Sequence, residues 1–321
     1  MNLLVTGGSG FIGCNFVRMM LEKHLDFHIT NLDKLTYAGR LENTKDFAKN
    51  KNYRFVKGDI CNRPLVEKLL EDSDAVVHFA AESHVDRSIT DPTPFLDSNV
   101  KGTCVLLQAA TDAEVEKFIH ISTDEVYGSI RSGSFKETDR MEPNSPYSAS
   151  KAAAEMFARA FNKTYGLPVV ITRSSNNYGP HQFPEKLIPL FVTNLYRGLK
   201  VPVYGTGLNV RDWLYVGDNC EGIEAVLLKG KQGEIYNIGG GEERTNLELT
   251  EMLLKHMKKG EDSIQFVEDR KGHDFRYSLD CAKIRKQLGW KPKVNLEKGL
   301  KLTVDWYLKN VWWWKPLLSN G

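Results

Sequence analysis

Four polar residues near the middle of the chain have the types and spacing of a redox site. Tyr147 and Lys151 are four residues apart, so on a helix they share one face, where the ammonium would lower the pKa of the phenol and help it act as a base. Such a pair predicts the oxidation of a hydroxyl group. Asp124 and Glu125 are adjacent, and an acid beside a base supplies the two proton transfers that loss of water from a sugar requires. The two pairs together predict oxidation and dehydration at one site.

A glycine-rich turn near the start of the chain could bind a hydride carrier. Residues 3–6 have the pattern of a short buried parallel strand, and Gly7, Gly10 and Gly13 lie between this strand and a helix. Glycines here allow a tight turn and let the backbone approach a pyrophosphate, to which the helix N-terminus presents N–H groups. The next strand ends at Asp33, twenty residues after Gly13, where a carboxylate can bind ribose hydroxyls and would repel a 2′-phosphate. The pattern predicts NAD rather than NADP.

Further short apolar runs alternate with helical stretches, and we interpret these runs as strands. They occur at residues 53–56, 75–79, 118–122 and 169–172. This alternation predicts an α/β fold, a Rossmann-type doubly wound parallel sheet. Ligands of such sheets bind at the carboxyl ends of the strands, where Asp59, Ala80, Ala81 and the segment 122–125 lie.

Composition excludes several classes of protein. Forty-three basic and 41 acidic residues nearly cancel, which argues against a nucleic-acid partner. Five scattered cysteines without C-x-x-C spacing favour neither a disulfide framework nor a metal site. The sequence shows no signal-peptide pattern and no run of membrane-spanning length, so we expect a cytoplasmic protein without a membrane partner.

The glycine turn and the Tyr147–Lys151 pair make the chain resemble the extended short-chain dehydrogenase/reductase superfamily. A narrower resemblance, to the dTDP-glucose 4,6-dehydratase family, covers almost the whole chain. It rests on TGGSGFIG from Thr6, DKLTYAGR from Asp33, HFAAESHVDRSI from His78, STDEVYG from Ser122, YSASKAAAE from Tyr147, SSNNYGP from Ser174, FPEKLIP from Phe183, RDWLYV from Arg211, YNIGG from Tyr236 and DRKGHDFRY from Asp269. The adjacent carboxylates are the most discriminating of these features, because related 4-epimerases expel no hydroxyl.

The resemblance implies a specific reaction on dTDP-glucose. Tyr147, held by Lys151, takes the C4 hydroxyl proton while the C4 hydride passes to NAD⁺, and Thr123 binds the C4 oxygen. Glu125 removes the C5 proton, and protonated Asp124 donates to the departing C6 hydroxyl. Hydride then returns to C6 and a proton to C5, which gives a 4-keto-6-deoxy sugar for the biosynthesis of a deoxysugar such as rhamnose. Asp124 needs a raised pKa for this role, and the charge of Glu125 is a physical reason for it.

The resemblance also implies two sets of binding residues. The NAD site would comprise Gly7, Gly10, Phe11, Ile12, Gly13, Asp33, Lys34, Leu35, Thr36, Asp59, Ile60, Ala80, Ala81, Glu82, Ser98, Tyr147 and Lys151. The dTDP-sugar site would comprise His84, Thr123, Asn176, Lys186, Leu187, Pro202, Val203, Tyr204, Arg211, Asn246, Arg270 and His273. Arginines suit a diphosphate because their planar forks form bidentate hydrogen bonds.

We expect two domains, since a chain of 321 residues exceeds the usual size of a single core. A predicted helix at 217–228 and a predicted strand at 234–238 would return to the first domain. The Rossmann domain would then comprise residues 1–178 plus about 210–240, and a smaller mixed α/β sugar-nucleotide domain would comprise about 179–209 plus 241–321.

Two further expectations concern surfaces. By resemblance, the helices at 98–110 and 149–165 would pair across a homodimer as a four-helix bundle. Trp306 and the run 312–314 favour a packed C-terminal helix over a stacking platform, because no basic cluster accompanies them.

Two alternatives remain open from the sequence. The protein could be another nucleotide-sugar 4,6-dehydratase or a 4-epimerase. It could also be a non-catalytic NAD-sensing or scaffold protein on the same fold, although the intact set of Tyr147, Lys151, Asp124 and Glu125 argues against this.

Overall fold

Strands and helices alternate along the chain in the computed structural model, which describes residues 1–318. The strands are β1 (Asn2–Thr6), β2 (His28–Asp33), β3 (Tyr53–Lys57), β4 (Ala75–His78), β5 (Lys117–Thr123), β6 (Val169–Ser174), β7 (Asn176–Tyr178), β8 (Val201–Tyr204), β9 (Val210–Tyr215), β10 (Ile235–Ile238), β11 (Glu243–Thr245) and β12 (Ile264–Val267). The helices are α1 (Phe11–Lys23), α2 (Arg63–Leu70), α3 (Val85–Thr90), α4 (Thr93–Phe95), α5 (Thr103–Asp112), α6 (Pro146–Tyr165), α7 (Leu187–Tyr196), α8 (Val216–Lys229), α9 (Asn246–Met257), α10 (Ala282–Leu288), α11 (Leu296–Lys309) and α12 (Val311–Trp314). A π-helix (Leu96–Gly102) precedes α5, and 3₁₀ turns occur at Leu41–Thr44, Asp124–Tyr127, Glu261–Ser263 and Lys315–Leu317.

A parallel sheet of seven strands, in the order β10-β6-β5-β4-β1-β2-β3, forms the larger part of the fold. Leu3 and Val5 of β1 pack into one apolar core with α1, α8 and α10, whereas Leu4 packs into a second core with α2 and α5 on the opposite face. Adjacent residues of a strand point to opposite faces, so a continuous apolar run is what a sheet covered on both sides requires. The predicted doubly wound sheet is confirmed.

The register of this sheet aligns the ends of its central strands. Thr6 at the end of β1 pairs with Leu32 of β2 and with His78 of β4. On the other side of β4, Thr123 at the end of β5 pairs with Ser174 of β6. The turns that follow these strands therefore lie along one edge of the sheet.

The smaller part of the fold is mixed, as predicted. It contains a three-stranded sheet in the order β11-β9-β7 and a two-stranded sheet of β12 and β8, and its core includes residues of α7, α9, α11 and α12. The predicted helix and strand that return to the large sheet are α8 and β10. Ile284 and Leu288 of α10 also pack into the core of the large sheet, whereas β9 pairs within the small one. The predicted domain boundaries stay a prediction.

The sequence Ser145–Pro146 predicts a helix start, with Ser145 as the cap and Pro146 at the first helical position. Helix α6, which carries Tyr147 and Lys151, begins there. The Ser145 hydroxyl accepts a hydrogen bond from the backbone N–H of Ser148, and the Ser148 hydroxyl accepts one from the backbone N–H of Ser145. This capping box satisfies N–H groups that the first helical turn leaves unpaired, and Pro146 at the first helical position has no N–H to satisfy. Tyr147 is thereby fixed in the first turn, with Lys151 one turn later.

Within residues 1–318, no helix combines the length and the apolar character needed to cross a membrane. The same residues contain no group of three or more His, Cys, Asp or Glu side chains arranged to hold a metal ion. The five cysteines are unpaired thiols.

The C-terminal tryptophans pack into the protein, as predicted. Trp313 and Trp314 are each 1% exposed. The Trp313 indole donates to the Asn43 amide oxygen (2.8 Å), and the Trp314 indole donates to the Tyr307 carbonyl (2.8 Å). Trp312 is 54% exposed. Trp313 and Trp314 therefore belong to the core of the smaller part, whereas Trp312 contributes little to that core.

We predict that Trp314→Ala lowers the free energy of unfolding by about 3–5 kcal/mol, because it removes a buried aromatic ring and leaves a cavity. Trp312→Ala is the matched control and should cost no more than about 1 kcal/mol. Urea unfolding followed by circular dichroism measures both changes. Equal losses in the two variants would contradict the described packing of the tail.

Candidate active site

The glycine turn between β1 and α1 leaves no room for side chains at Gly7 and Gly13, where a Cβ would overlap backbone atoms. A Cβ at Gly7 would lie 2.6 Å from the Ala80 nitrogen, and a Cβ at Gly13 would lie 2.3 Å from the Gly7 carbonyl oxygen. Gly10 precedes α1 and provides no side-chain cap for its first N–H groups. These features leave an open helix N-terminus beside bare backbone, which fits a pyrophosphate.

A cavity lies against this turn and the neighbouring strand ends. Its wall includes Gly7, Gly10, Phe11, Ile12, Gly13, Asp33, Lys34, Thr36, Asp59, Ile60, Ala80, Ala81, Glu82, Ser98, Tyr147 and Lys151. Of the residues predicted to bind NAD, Leu35 is the one absent from the wall; it has a positive φ of 55°, and its backbone N–H donates to Asp33. The lining of this cavity fits a dinucleotide. We call it the dinucleotide cavity from here on.

Asp33 is oriented by backbone groups on both sides of its carboxylate. The Ser9 N–H donates to Oδ2 (2.9 Å) and the Leu35 N–H donates to Oδ1 (2.8 Å). Burial raises the pKa of Asp33, and these two hydrogen bonds oppose the rise. The neighbouring Lys34 ammonium is 2.7 Å from the Asp59 carboxylate. Because Lys34 has this partner, its charge does not offset the preference of Asp33 for an unphosphorylated ribose.

Asp124 and Glu125 begin a 3₁₀ turn directly after β5. The Thr123 hydroxyl accepts from the Glu125 N–H (3.2 Å) and donates to Asp124 Oδ1 (3.0 Å). Asp124 Oδ2 is buried and has no hydrogen-bond partner among residues 1–318. A buried carboxyl oxygen without a partner is unfavourable, so Oδ2 is the carboxyl oxygen of Asp124 that is left for a further hydrogen bond.

The two carboxyl groups differ in their electrostatic surroundings. Burial, and next the charge of Glu125, raise the pKa of Asp124 well above its ordinary value. The predicted direction is confirmed, although burial and not Glu125 is the larger cause. Burial also raises the pKa of Glu125, but Arg270, Lys186 and Arg211 oppose that rise. Asp124 therefore holds its proton to higher pH, which suits it to donate a proton. Glu125 ionises more readily, which suits it to accept one.

Tyr147 and Lys151 of α6 line the dinucleotide cavity. The Tyr147 N–H donates to the Ser88 hydroxyl (3.1 Å), and the Lys151 ammonium donates to the Ile121 carbonyl (2.6 Å). Burial lowers the pKa of Lys151 to about 8. These contacts fix the backbone of one residue and the charged end of the other.

The expectation that Lys151 lowers the pKa of Tyr147 is wrong for this structure. Burial and the charges of Glu125 and Asp124 raise the pKa of the phenol, and a hydrogen bond with Thr123 opposes the rise. The Lys151 ammonium is bonded to a backbone carbonyl. Sequence spacing placed the two side chains on one helix face and both pairs at one site, but it could not show that burial and the carboxylates would raise the pKa of Tyr147.

A second cavity adjoins the first and contains Glu125 in its wall. The wall also includes His84, Asn176, Lys186, Leu187, Pro202, Val203, Tyr204, Arg211, Asn246, Arg270 and His273. Thr123 is the one residue of the predicted dTDP-sugar set that is absent from this wall. Its hydroxyl is bonded to Asp124, which lines neither cavity. We call this space the sugar-nucleotide cavity.

Three cationic side chains face this second cavity. Lys186 donates to the Ser83 carbonyl (2.8 Å). Arg211 donates to the Asp274 carbonyl (2.9 Å) and stacks 4.4 Å from the centre of the Tyr277 ring. Arg270 Nε and the amide oxygens of Asn176 and Asn246 are buried without partners in the described part of the chain. Unpartnered polar atoms beside clustered cations fit a polyanionic ligand with polar groups.

Sequence reasoning missed Glu185, which lines both cavities. Its carboxylate accepts from the Tyr37 hydroxyl (2.7 Å) and from the Arg87 guanidinium (3.1 Å), and the guanidinium stacks 3.7 Å from the centre of the Tyr37 ring. Glu185 thus joins the loop after β2 to the wall of the sugar-nucleotide cavity. Its place beside Lys186 in the sequence was the available signal.

The chain matches known proteins along nearly its whole length. A family model described as GDP-mannose 4,6 dehydratase matches residues 4–303. A dTDP-glucose 4,6-dehydratase of Streptomyces niveus is 54% identical over 323 residues, which span 99% of this chain and 96% of that protein. Another curated relative, the low-salt glycan biosynthesis protein Agl12 of Haloferax volcanii, is 53% identical over 308 residues, which span 96% of this chain and 99% of that protein.

Solved structures give the same picture. DesIV, a dTDP-glucose 4,6-dehydratase from Streptomyces venezuelae solved with NAD bound, is 54% identical with a TM-score of 0.97, and the match covers 99% of this chain and 100% of DesIV. The UDP-glucose 4-epimerase of Thermotoga maritima is 33% identical with a TM-score of 0.90, and the match covers 97% of this chain and 100% of the epimerase.

We predict that Gly13→Ala destabilises the protein by about 1–3 kcal/mol, because its Cβ overlaps backbone atoms that cannot move aside. Gly10→Ala is the matched comparison: its Cβ would lie 3.3 Å from the Gly7 carbonyl oxygen, and Gly10 has an extended conformation. It should keep the fold while weakening NAD binding at the cavity wall. Thermal unfolding and NAD titration measure the two effects. Normal stability of Gly13→Ala would refute the crowded-turn geometry.

Proposed function

The chain belongs to the dTDP-glucose 4,6-dehydratase family of the extended short-chain dehydrogenase/reductase superfamily, and on this premise we propose that it converts dTDP-glucose into dTDP-4-keto-6-deoxyglucose. The protein is an NAD-dependent hydro-lyase. The observation that carries the proposal is the Asp124–Glu125 turn, which follows β5 and places Glu125 in the wall of a cavity lined by three cations.

NAD is the cofactor, and when bound it accepts the C4 hydride of the sugar and later returns that hydride to C6. The glycine turn and the open N-terminus of α1 would hold its pyrophosphate, and Asp33 would bind the adenosine ribose. Lys151 would bind the nicotinamide ribose, since its ammonium lies in the wall of the dinucleotide cavity.

The first proton transfer belongs to Tyr147. Its phenol oxygen accepts the proton of the C4 hydroxyl, and the Thr123 hydroxyl steadies the oxygen left at C4. The raised pKa of Tyr147 makes its ionised form a strong base once formed. The Thr123 hydroxyl is the group whose hydrogen bond stabilises that ionised form.

The elimination belongs to Glu125 and Asp124. Oxidation to a ketone at C4 acidifies the C5 proton, which Glu125 removes. Asp124, kept protonated by burial, donates its proton to the C6 hydroxyl, so the C6–O bond breaks and water leaves. Glu125 then returns its proton to C5. Asp124 lies one residue from the base, so both proton transfers occur on one turn of the chain.

The cations of the sugar-nucleotide cavity would bind the diphosphate of the substrate. Arg270, Lys186 and Arg211 are the cations whose charges oppose the rise that burial causes in the pKa of Glu125. Arginine forks bind phosphate oxygens bidentately. The apolar wall that contains Leu187 and Val203 would face the nucleoside.

We also propose that the protein is a cytoplasmic homodimer. Leu96, Met156 and Phe157 of the π-helix and α6 are 56%, 44% and 43% exposed. These apolar side chains support an interface between copies of the two helices, since large exposed apolar groups on neighbouring elements often mark such contacts.

The substrate is tested by incubating the protein with dTDP-glucose, UDP-glucose and UDP-N-acetylglucosamine and identifying the products by mass spectrometry and NMR. We expect dTDP-glucose to lose one water and to become a 4-keto-6-deoxy sugar, with NAD restored. A 4-epimer of unchanged mass would establish the epimerase alternative. NAD binding without turnover of any of the three sugars would favour a non-catalytic NAD-binding protein.

The roles of the two carboxyl groups are tested by paired isosteric variants in deuterated water. Glu125→Gln should abolish deuterium incorporation at C5, because the amide cannot accept the proton. Asp124→Asn should retain C4 oxidation and C5 exchange while water loss falls by roughly 10²–10⁴-fold, the usual contribution of a general acid. NMR of the sugar and the absorbance of reduced nicotinamide follow these steps. Full C5 exchange in Glu125→Gln would show that the base is another residue.

A further inference from the structure

Glu155 of α6 and Arg173 of β6 form an ion pair that the proposed reaction does not use. The side chain of Glu155 is 0% exposed and that of Arg173 is 1% exposed. Two hydrogen bonds join them: Arg173 Nε donates to Glu155 Oε2 at 3.0 Å, and Arg173 Nη2 donates to Glu155 Oε1. The fork geometry fixes both the distance and the rotation between helix and strand.

The same guanidinium is stacked on Tyr127, the last residue of the 3₁₀ turn that contains Asp124 and Glu125. It lies 4.5 Å from the centre of the Tyr127 ring. Tyr127 is itself held, because its hydroxyl donates to the Asn237 amide oxygen (2.9 Å) and its ring stacks on Phe135 with 4.7 Å between centroids. A cation over a buried aromatic face is a strong and directional contact.

These contacts lie on the elements that carry the reacting groups. Glu155 is one helical turn after Lys151 and two turns after Tyr147 on α6, and its charge opposes the lowering of the Lys151 pKa. Tyr127 ends the turn that Asp124 begins. Arg173 therefore touches both the helix of the oxidation pair and the turn of the elimination pair.

Stability alone is a weak reason for such an arrangement. A buried ion pair costs the hydration of both charges, and apolar residues of similar volume often give equal or greater stability. A fork stacked on an aromatic ring does restrict geometry, and proton transfers at C5 and C6 need their donor and acceptor within hydrogen-bond reach of one bound sugar.

We propose that Glu155, Arg173 and Tyr127 form a positioning unit that holds the Asp124–Glu125 turn in register with Tyr147 and Lys151, so that oxidation and elimination act on the same bound sugar. This inference rests on the proposed function. None of the three residues lines either cavity, so they act through the groups that they position.

The test compares two aromatic-to-leucine variants. Tyr127→Leu removes the ring beneath Arg173 while leaving the ion pair intact. Phe47→Leu is the matched control: Arg18 lies 5.3 Å from the centre of that ring and pairs with Asp46, and Phe47 lines neither cavity. Both changes remove a buried ring under a paired guanidinium.

Two rates are measured for each protein with dTDP-glucose in deuterated water. One is nicotinamide reduction in a single turnover, which reports C4 oxidation, and the other is deuterium incorporation at C5. We expect Tyr127→Leu to lower the ratio of C5 exchange to C4 oxidation by roughly tenfold or more, since small misplacements of catalytic groups have effects of this size. Reduced nicotinamide should accumulate. Phe47→Leu should keep the wild-type ratio even where its stability falls.

Arg173→Lys is a second variant that keeps the charge and loses the fork. It should shift the ratio in the same direction as Tyr127→Leu. Three outcomes would overturn the proposal and assign the unit to stability alone. They are an unchanged ratio in both variants, equal falls in the two rates, and failure of both variants to fold. The wild-type protein is measured in parallel: its failure to act on dTDP-glucose refutes the proposed function, whereas normal wild-type turnover beside unchanged variant ratios refutes the positioning unit alone.

Discussion

Burial of titratable groups at the carboxyl end of β5 is the constraint on which the rest of the site depends. Burial is the largest cause of the pKa shift of Asp124, Glu125, Tyr147 and Lys151 alike. Removal from water disfavours each charged form, so the fold must supply a specific partner for every charge that the chemistry needs. The Ile121 carbonyl serves Lys151, and cations across the sugar-nucleotide cavity serve Glu125.

Those cations connect substrate binding with catalysis. Lys186, Arg211 and Arg270 lower the pKa of Glu125, and the same three groups are the ones suited to a diphosphate. A bound diphosphate would share their charge, which weakens their effect on Glu125 and raises its basicity. In the proposed binding mode, Glu125 is therefore a stronger base when substrate occupies the cavity than when it does not.

The sequence was sufficient for the large sheet, the glycine turn and the capped start of α6, because these features follow from local patterns: apolar runs, glycine spacing and the Ser145–Pro146 pair. It was insufficient where the cause lies far away in the chain. The rise in the pKa of Tyr147 comes from burial and from carboxylates on another element. Glu185 contacts Tyr37, 148 residues away, and Arg173 of β6 contacts Tyr127 in the 3₁₀ turn after β5. No periodicity encodes such contacts, so they emerge from the tertiary packing alone.

The adjacent carboxyl groups act on each other, and in the proposed mechanism this coupling orders the steps of the elimination. The charge of Glu125 is the second cause, after burial, of the raised pKa of Asp124. When Glu125 takes the C5 proton its charge disappears, and this cause disappears with it, so Asp124 becomes a stronger acid at the moment when the C6 oxygen must be protonated. The same neutralisation removes one of the charges that raise the pKa of Tyr147. Proton removal at C5 therefore promotes proton donation at C6, which explains why an acid and a base on one turn suit the loss of water better than two separated groups would.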